Sequence, residues 1–214
     1  MSKIAPCITV ESSDEFKSSV ERLTPFAERV HIDVSDGEFT PNFLLEPEKI
    51  SWPGNWTVDI HAMVARPSEH IQKLIALKPN LMIFHAEIQE DIVKVLKFVK
   101  QSGIKAGVSL LKTTVPNSVR EAIEEADHVL IFSGDLGHYG GTASLMQLEK
   151  VRLIRNIRPS VEIGWDGGAN IENVFSLTQG GVDVINVGGA IAKADDPQVV
   201  YDNLVREINK RSVI

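Results

Sequence analysis

The strongest constraint on how this chain can fold is a repeated alternation of two hydrophobic patterns. Short apolar runs rich in β-branched residues alternate with longer stretches in which apolar residues recur at helical spacing. Most of the short runs are too continuously apolar to leave one face in water, which is typical of parallel strands covered by helices. The eight candidate strands are residues 3–9, 30–35, 56–64, 81–87, 105–111, 128–133, 161–166 and 183–187.

A helical pattern follows each candidate strand. Proline stands at positions 67 and 116, where it suits a first helical turn, and Asp196 before Pro197 is placed to cap the last helix. Eight such units in 214 residues fit a closed barrel, which typically takes ~200–250 residues. An open doubly wound sheet usually has a glycine-rich first turn, and residues 9–16 contain no glycine. We therefore predict an α/β fold, a single (β/α)8 TIM-barrel domain over residues 1–214.

The charge and composition of the chain limit the classes of molecule that it can bind. The 22 basic and 29 acidic residues give a net charge of −7 without a basic block, which disfavours binding to nucleic acid or to an anionic membrane. An anionic ligand must then be held by local geometry. The single cysteine fits a reducing compartment, and no apolar run approaches the ~18 residues of a membrane span. We expect a cytoplasmic, soluble protein that forms a homo-oligomer, a dimer or larger.

Polar residues stand where a barrel carries its functional groups, at the carboxyl ends of the strands. Strand 2 supplies His31 and Asp33 two residues apart, so both face one side; strand 3 supplies His61 and strand 7 supplies Asp166. Two imidazoles and two carboxylates that converge form a plausible site for a divalent cation such as zinc. The alternative for each residue alone is a hydrogen-bonded core side chain or a loop cap.

Glycines cluster after the last three strands. Their turns expose backbone N–H groups, and a following helix adds positive potential, which is the usual phosphate site of this barrel. The alternative is that they only permit tight turns. The candidates are Gly134, Gly137, Gly140 and Gly141 after strand 6, Gly167 and Gly168 after strand 7, and Gly188 and Gly189 after strand 8.

Other polar residues are weaker candidates. Lys112 follows strand 5, where it could form a Schiff base, although a lysine there is more often a solvated loop residue. His85 and Glu87 end strand 4 and are either partners of the metal ligands or ordinary barrel filling. His138 and Tyr139 lie in the glycine-rich loop, within reach of a substrate.

A metal, two carboxylates and a phosphate cradle suit one reaction in particular, which is proton abstraction next to the carbonyl of a phosphorylated sugar. Inversion of a carbon centre needs proton removal from one face and delivery to the other. Asp33 and Asp166 come from different sides of the barrel mouth, so they are placed to flank a flat enediolate and exchange acid and base roles.

These segments resemble the ribulose-phosphate 3-epimerase family over nearly the whole chain. The resemblance lies in KIAPCI, VHIDVSDGEFTPN, DIHAMV, HAE, AGVSL, the glycine loop, DGG and VGGAI. It implies interconversion of D-ribulose 5-phosphate and D-xylulose 5-phosphate in the pentose phosphate and Calvin routes. It also implies that His31, Asp33, His61 and Asp166 bind the metal and that Asp33 and Asp166 are the acid and base. The implied phosphate site is the backbone at Gly140, Gly141, Gly167, Gly168, Gly188 and Gly189.

The chain departs from the family pattern around the substrate. Cys7 stands where the family has a serine that contacts substrate, and Ser35 and Phe132 replace two methionines of an apolar collar. Met63 of that collar is retained, and the loop over residues 134–141 is longer than usual. The reaction type is thus preserved, while a six-carbon ketose phosphate becomes an alternative substrate.

Three functions stay open at this point. The first is the metal-dependent epimerase, with one divalent ion per subunit, Zn²⁺ before Fe²⁺, Mn²⁺ or Co²⁺. The second is a metal-free lyase or aldolase that uses Lys112. The third is a sugar-phosphate binder without turnover, which an intact set of four ligands disfavours because unused buried charges are costly.

Overall fold

The computed structural model describes residues 2–139 and 141–210. Eight parallel strands close into a barrel in which each strand pairs with its neighbours in sequence and the eighth pairs with the first. The predicted (β/α)8 barrel is thus confirmed. The strands are β1 (Lys3–Ile8), β2 (Arg29–Ser35), β3 (Thr57–Met63), β4 (Leu81–His85), β5 (Lys105–Leu110), β6 (His128–Phe132), β7 (Glu162–Asp166) and β8 (Val184–Val187).

Among the described residues, eight α-helices surround the barrel, and several begin at a side-chain cap. Ser12 and Glu15 form a capping box at α1, and Asp91 accepts hydrogen bonds from the first turn of α3. Asp196 accepts from the Val199 N–H at the start of α8, as predicted. The helices are α1 (Ser13–Leu23), α2 (Ile71–Ala76), α3 (Ile92–Gln101), α4 (Arg120–Glu125), α5 (Glu149–Ile157), α6 (Val174–Gln179), α7 (Gly189–Ala192) and α8 (Pro197–Ile208).

The connection between β2 and β3 differs from the prediction of a helix after every strand. It contains only a short 3-10 turn, Pro47–Lys49. Prolines at positions 41, 47 and 53 remove backbone donors and interrupt any longer helix there. The loop is instead held by Asp36, whose carboxylate accepts hydrogen bonds from the backbone of Phe39 and Ala65. This loop therefore stays over the barrel mouth.

The barrel interior is layered. Alternate residues of a strand share a face, and the register of β2 with β3 aligns Arg29, His31 and Asp33 with Thr57, Asp59 and His61. At the amino-terminal end, the floor, Arg29 donates to Asp59 and Glu162, and Glu162 also contacts His128. Above the floor lies a small apolar cluster of Leu81, Ile83 and Leu130. Asp33, His61 and Asp166 lie toward the opposite, carboxyl-terminal end.

The main hydrophobic core fills the space between the barrel and its helices. It includes the outward-facing strand residues Ile32, Ile60 and Val108, all almost fully buried, and helix residues such as Leu96 and Leu204. Within the part of the chain that the structure describes, no helix combines the length and apolar character that a membrane span requires.

Candidate active site

Four side chains from three strands meet at the barrel mouth. His31 and Asp33 come from β2, His61 from β3 and Asp166 from β7, and one ligand atom of each lies within 4.8 Å of all the others. Asp33 Oδ1 lies 3.2 Å from His31 Nε2 and 3.0 Å from His61 Nδ1. Asp166 Oδ2 lies 3.8 Å and 3.7 Å from the same two nitrogens. The strands thus bring the four predicted ligands together.

The donor set fits a divalent ion. Ligands that share a tetrahedral ion at bond lengths of 2.0–2.2 Å are about 3.3–3.6 Å apart, close to the four distances in this cluster. His31 adds a second observation, because both of its ring nitrogens are buried and neither has a hydrogen-bond partner among the described residues. A buried imidazole without a partner is costly unless something binds it. The residues present therefore suit a metal bound by imidazole and carboxylate.

The two carboxyl groups of the cluster differ in proton affinity. Burial acts to raise the pKa of Asp33, but the two imidazoles beside it, His31 and His61, outweigh this effect and hold that pKa well below its usual range. Asp166 has a raised pKa, because burial disfavours its charge and the neighbouring Asp33 carboxylate adds repulsion. One site thus contains one strong and one weak carboxylic acid.

Thr9, just past β1, also contacts the cluster and was not predicted. Its hydroxyl donates to Asp33 Oδ2 at 2.5 Å, and its backbone N–H donates to the Tyr139 hydroxyl at 2.8 Å. Thr9 follows Cys7 by two residues, so its polar side chain at a strand's carboxyl end was a signal available in the sequence. Tyr139 brings the loop after β6 down onto β1.

A cavity of about 250 Å³ opens beside the cluster. Asp33 and Asp166 line it, and so does Phe132. The predicted glycines in its lining are Gly134, Gly137, Gly141, Gly167, Gly168, Gly188 and Gly189, and Cys7 and Met63 line it as well. Gly140 lies outside the described residues. Ser35 does not line the cavity; its hydroxyl instead donates to the Asn42 carbonyl and lies 2.9 Å from the Thr40 hydroxyl.

Two glycines after β7 are required by the close approach of backbone segments. Gly167 and Gly168 have φ angles of +105° and +69°, which favour glycine. A Cβ on Gly167 would lie 1.9 Å from the Gly134 nitrogen, and one on Gly168 would lie 2.2 Å from the Ala143 nitrogen. The backbone of the β6 and β7 loops therefore surrounds one end of the cavity, as a phosphate cradle requires.

The weaker candidates separate into two groups. His85 joins the cluster, because its Nε2 lies 2.8 Å from His61 Nε2, and burial lowers its pKa to about 4. His138 and Tyr139 both line the cavity. Lys112 does not line it; its ammonium group lies 3.7 Å from Asp135 Oδ1 and is partly exposed. This position disfavours a Schiff-base role for Lys112.

The fold and the site define a barrel isomerase of the kind that epimerises carbohydrates, and comparison with known proteins supports this class. Residues 3–192 match the model of the ribulose-phosphate 3 epimerase family, so the chain belongs to that family. The ribulose-phosphate 3-epimerase of Helicobacter pylori strain J99 is 31% identical over 210 residues, covering 94% of this chain and 96% of the relative. That of Aquifex aeolicus is 32% identical over 177 residues, covering 79% and 80%.

The fold also matches solved structures of other enzymes. A 3-hexulose-6-phosphate synthase from Salmonella typhimurium superposes with a TM-score of 0.70 at 16% identity, covering 96% of this chain and 98% of that one. Identity this low supports the shared barrel alone.

Proposed function

We propose that this protein epimerises carbon 3 of a ketose phosphate in a metal-dependent reaction and interconverts D-ribulose 5-phosphate and D-xylulose 5-phosphate. The observation that carries the proposal is the convergence of Asp33, Asp166 and two imidazoles in one cluster, whose two carboxyl groups line a cavity that also contains a cradle of glycine backbone. Family membership supports the same reaction.

In this proposal His31, Asp33, His61 and Asp166 hold one divalent ion, with Zn²⁺ as the first choice and Fe²⁺, Mn²⁺ or Co²⁺ as alternatives. A bound ion would polarise the substrate carbonyl and stabilise the negative charge that forms when the adjacent carbon loses its proton. The identity of the metal follows from metal analysis of the purified protein.

Asp33 and Asp166 carry the proton transfers. They project from β2 and β7, which β1 and β8 separate, so a flat sugar intermediate between them presents opposite faces to the two carboxyl groups. One carboxylate removes the carbon 3 proton, and the other carboxyl group delivers a proton to the opposite face. The roles exchange in the reverse direction, which inverts the configuration each time. Thr9 orients Asp33 through its hydrogen bond to Oδ2.

The rest of the cavity positions the substrate. Backbone N–H groups near Gly141, Gly167, Gly168, Gly188 and Gly189 are proposed to bind the phosphate, so the net charge of the chain is no obstacle. Cys7, Met63 and Phe132 are proposed to cover the carbon chain and exclude water. Because two of these three differ from the family pattern, a six-carbon ketose phosphate is the alternative substrate, and the relative kcat/KM for the two sugars decides between them.

Isotope exchange tests the reaction. Purified protein loaded with Zn²⁺, Mn²⁺ or Fe²⁺ is incubated with ribulose 5-phosphate in deuterated water, and we expect deuterium at carbon 3 of both substrate and product. Asp33→Asn and Asp166→Asn should abolish this exchange, whereas Asp202→Asn, an exposed carboxylate on α8, should leave it unchanged. Deuterated xylulose 5-phosphate formed by either cluster variant would overturn the two-carboxylate proposal, because inversion needs a carboxyl group on each face of carbon 3.

The same experiment separates the other two functions. A metal-free aldolase would be indifferent to chelator, and borohydride would trap Lys112 with a carbonyl substrate. A binder without turnover would be stabilised thermally by the sugar phosphate but would show no exchange.

We also propose that the barrel is a single domain in a cytoplasmic homo-oligomer. Limited proteolysis, cell fractionation and light scattering on the purified protein test these three points.

A further inference from the structure

A row of polar side chains in contact with one another begins at His61 and leads away from the cavity. His61 contacts His85 on β4, and His85 faces Glu87 just beyond the end of that strand. We propose that Glu87 is a positioning residue that acts through His85 to keep a proton on His61 Nε2, so that Nδ1 is the nitrogen of a neutral His61 ring that can bind an ion. This inference rests on the proposed function, because it concerns how a metal ligand is prepared.

The two nitrogens of His61 have different neighbours. Nδ1 lies 3.0 Å from Asp33 Oδ1, on the side of the cluster, and Nε2 lies 2.8 Å from His85 Nε2. Two imidazole nitrogens at this distance share one proton, because two N–H groups or two lone pairs would repel. Either His61 donates to His85 or His85 donates to His61. Only the first arrangement allows Nδ1 to give up its hydrogen bond to Asp33 and bind an ion while the ring is neutral.

The contact of the other ring nitrogen of His85, Nδ1, decides between these two arrangements. His85 Nδ1 lies 3.4 Å from Glu87 Oε2, and both atoms are buried with no other hydrogen-bond partner among the described residues. The other oxygen of Glu87, Oε1, accepts from the Leu111 N–H at 3.1 Å and from the Thr114 hydroxyl. Glu87 thus presents a carboxylate oxygen, which can only accept, so His85 Nδ1 carries the proton and its Nε2 accepts from His61.

The surroundings of His85 keep this geometry in place. Its ring is fully buried between those of Phe39, with centroids 4.7 Å apart, and Phe132, at 5.6 Å. These rings offer no alternative polar partner and block rotation of the imidazole. Glu87 is fixed by its two contacts to the loop after β5. The position of this carboxylate outside the cavity therefore controls which nitrogen of His61 is available inside it.

The variant Glu87→Gln reverses the donor and acceptor roles along the row Glu87–His85–His61 with little change in the shape of the side chain. The amide oxygen can keep the contacts to Leu111 and Thr114, and the amide NH₂ then faces His85 Nδ1 as a donor. His85 would donate from Nε2 to His61, which places the His61 proton on Nδ1. Thr114→Val is the matched control, because it removes a contact to Glu87 and leaves the carboxylate facing His85.

The first measurement is the dissociation constant for Co²⁺ or Zn²⁺ of the metal-free protein, from calorimetry and the visible spectrum of Co²⁺. We expect Glu87→Gln to weaken binding about 10- to 100-fold, the usual effect of losing such a partner. Thr114→Val should bind within about twofold of wild type. The second measurement is the ¹⁵N shift of the His61 ring in the metal-free proteins at pH 8.5, which should report a proton on Nε2 in wild type and on Nδ1 in Glu87→Gln.

Equal metal affinity and an unchanged His61 tautomer in a folded Glu87→Gln protein would overturn the inference. Weakening by Thr114→Val as large as by Glu87→Gln would also overturn it, because Glu87 would then act by holding the loop. A wild-type protein that binds no metal would refute the proposed function. The ring ¹⁵N shifts would still decide whether Glu87 controls the tautomer of His61.

Discussion

The proposed phosphate cradle can be tested at Gly168 without touching any polar side chain. In Gly168→Ala the new Cβ would lie 2.2 Å from the Ala143 nitrogen, whereas ordinary contact begins at 3.4 Å. The loop after β6 must therefore retreat by about 1.2 Å, the difference between these distances. A retreat of this size breaks a hydrogen bond from the loop backbone to a bound phosphate, and it also strains the bond from the Ser144 N–H to Ser133 Oγ.

The expected effect follows from two contributions. An alanine at a φ of +69° costs about 1–2 kcal/mol of folding stability. Loss of one hydrogen bond to a charged phosphate costs about 1.5–3 kcal/mol of binding free energy. The second figure corresponds to a rise of about 10- to 150-fold in the KM for the sugar phosphate. The inhibition constant of inorganic phosphate should rise in parallel.

Gly103→Ala is the matched control. Gly103 has a similar φ of +79°, but no atom lies within 4 Å of its added Cβ, and it follows α3 at the other end of the barrel. Steady-state kinetics should therefore give a raised KM for Gly168→Ala alone, while urea unfolding shows a loss of about 1–2 kcal/mol or more for both variants. An unchanged KM in Gly168→Ala, or equal KM changes in the two variants, would refute the reasoning.

Three further predictions concern the floor and the cluster. The pKa of Glu162 is held below its usual range by Arg29 and His128 against the effect of burial, so its contribution to stability is present above pH ~4.5 and is lost as the pH falls. Urea unfolding should thus show Glu162→Gln to be about 1–2 kcal/mol less stable than wild type at pH 7, with partial exposure limiting the loss, and this difference should shrink steadily as the pH falls below about 4.5. Thr9→Val should slow deuterium exchange about tenfold through loss of the hydrogen bond to Asp33, while Thr9→Ser retains most of the activity. Equal exchange rates in Thr9→Val and wild type would exclude the proposed role of Thr9 in orienting Asp33. Metal at 100 times its dissociation constant should raise the free energy of unfolding by about 2.7 kcal/mol in thermal or urea unfolding, and His61→Ala should show no such rise.

The sequence predicts the barrel well because its signal is local and repeated. Each buried strand has a continuous apolar run, and the observed bounds of β4 to β8 lie within two residues of the predicted ones. The four-residue cluster was also predictable, because parallel strands place their carboxyl ends at one edge and period two places His31 and Asp33 on one face.

What the sequence does not reveal depends on contacts between distant segments. Tyr139 reaches Thr9 across 130 positions, and no periodicity marks such a contact. The floor pair of Arg29 and Glu162 is equally distant in sequence and looks like ordinary strand-end charge. The loop after β2 was expected to contain a helix because the repeat of strand–helix units predicts one after every strand, whereas three prolines interrupt that loop.

The apolar cluster of Leu81, Ile83 and Leu130 has a consequence for how this barrel tolerates change. It separates two polar ends, one that anchors the fold through Arg29 and one that contains the imidazoles and carboxylates. Side chains at the mouth, such as Cys7 and Phe132, can therefore change without weakening the ionic anchor below. Changes in substrate specificity and changes in thermal stability can thus involve separate sets of residues within one closed barrel.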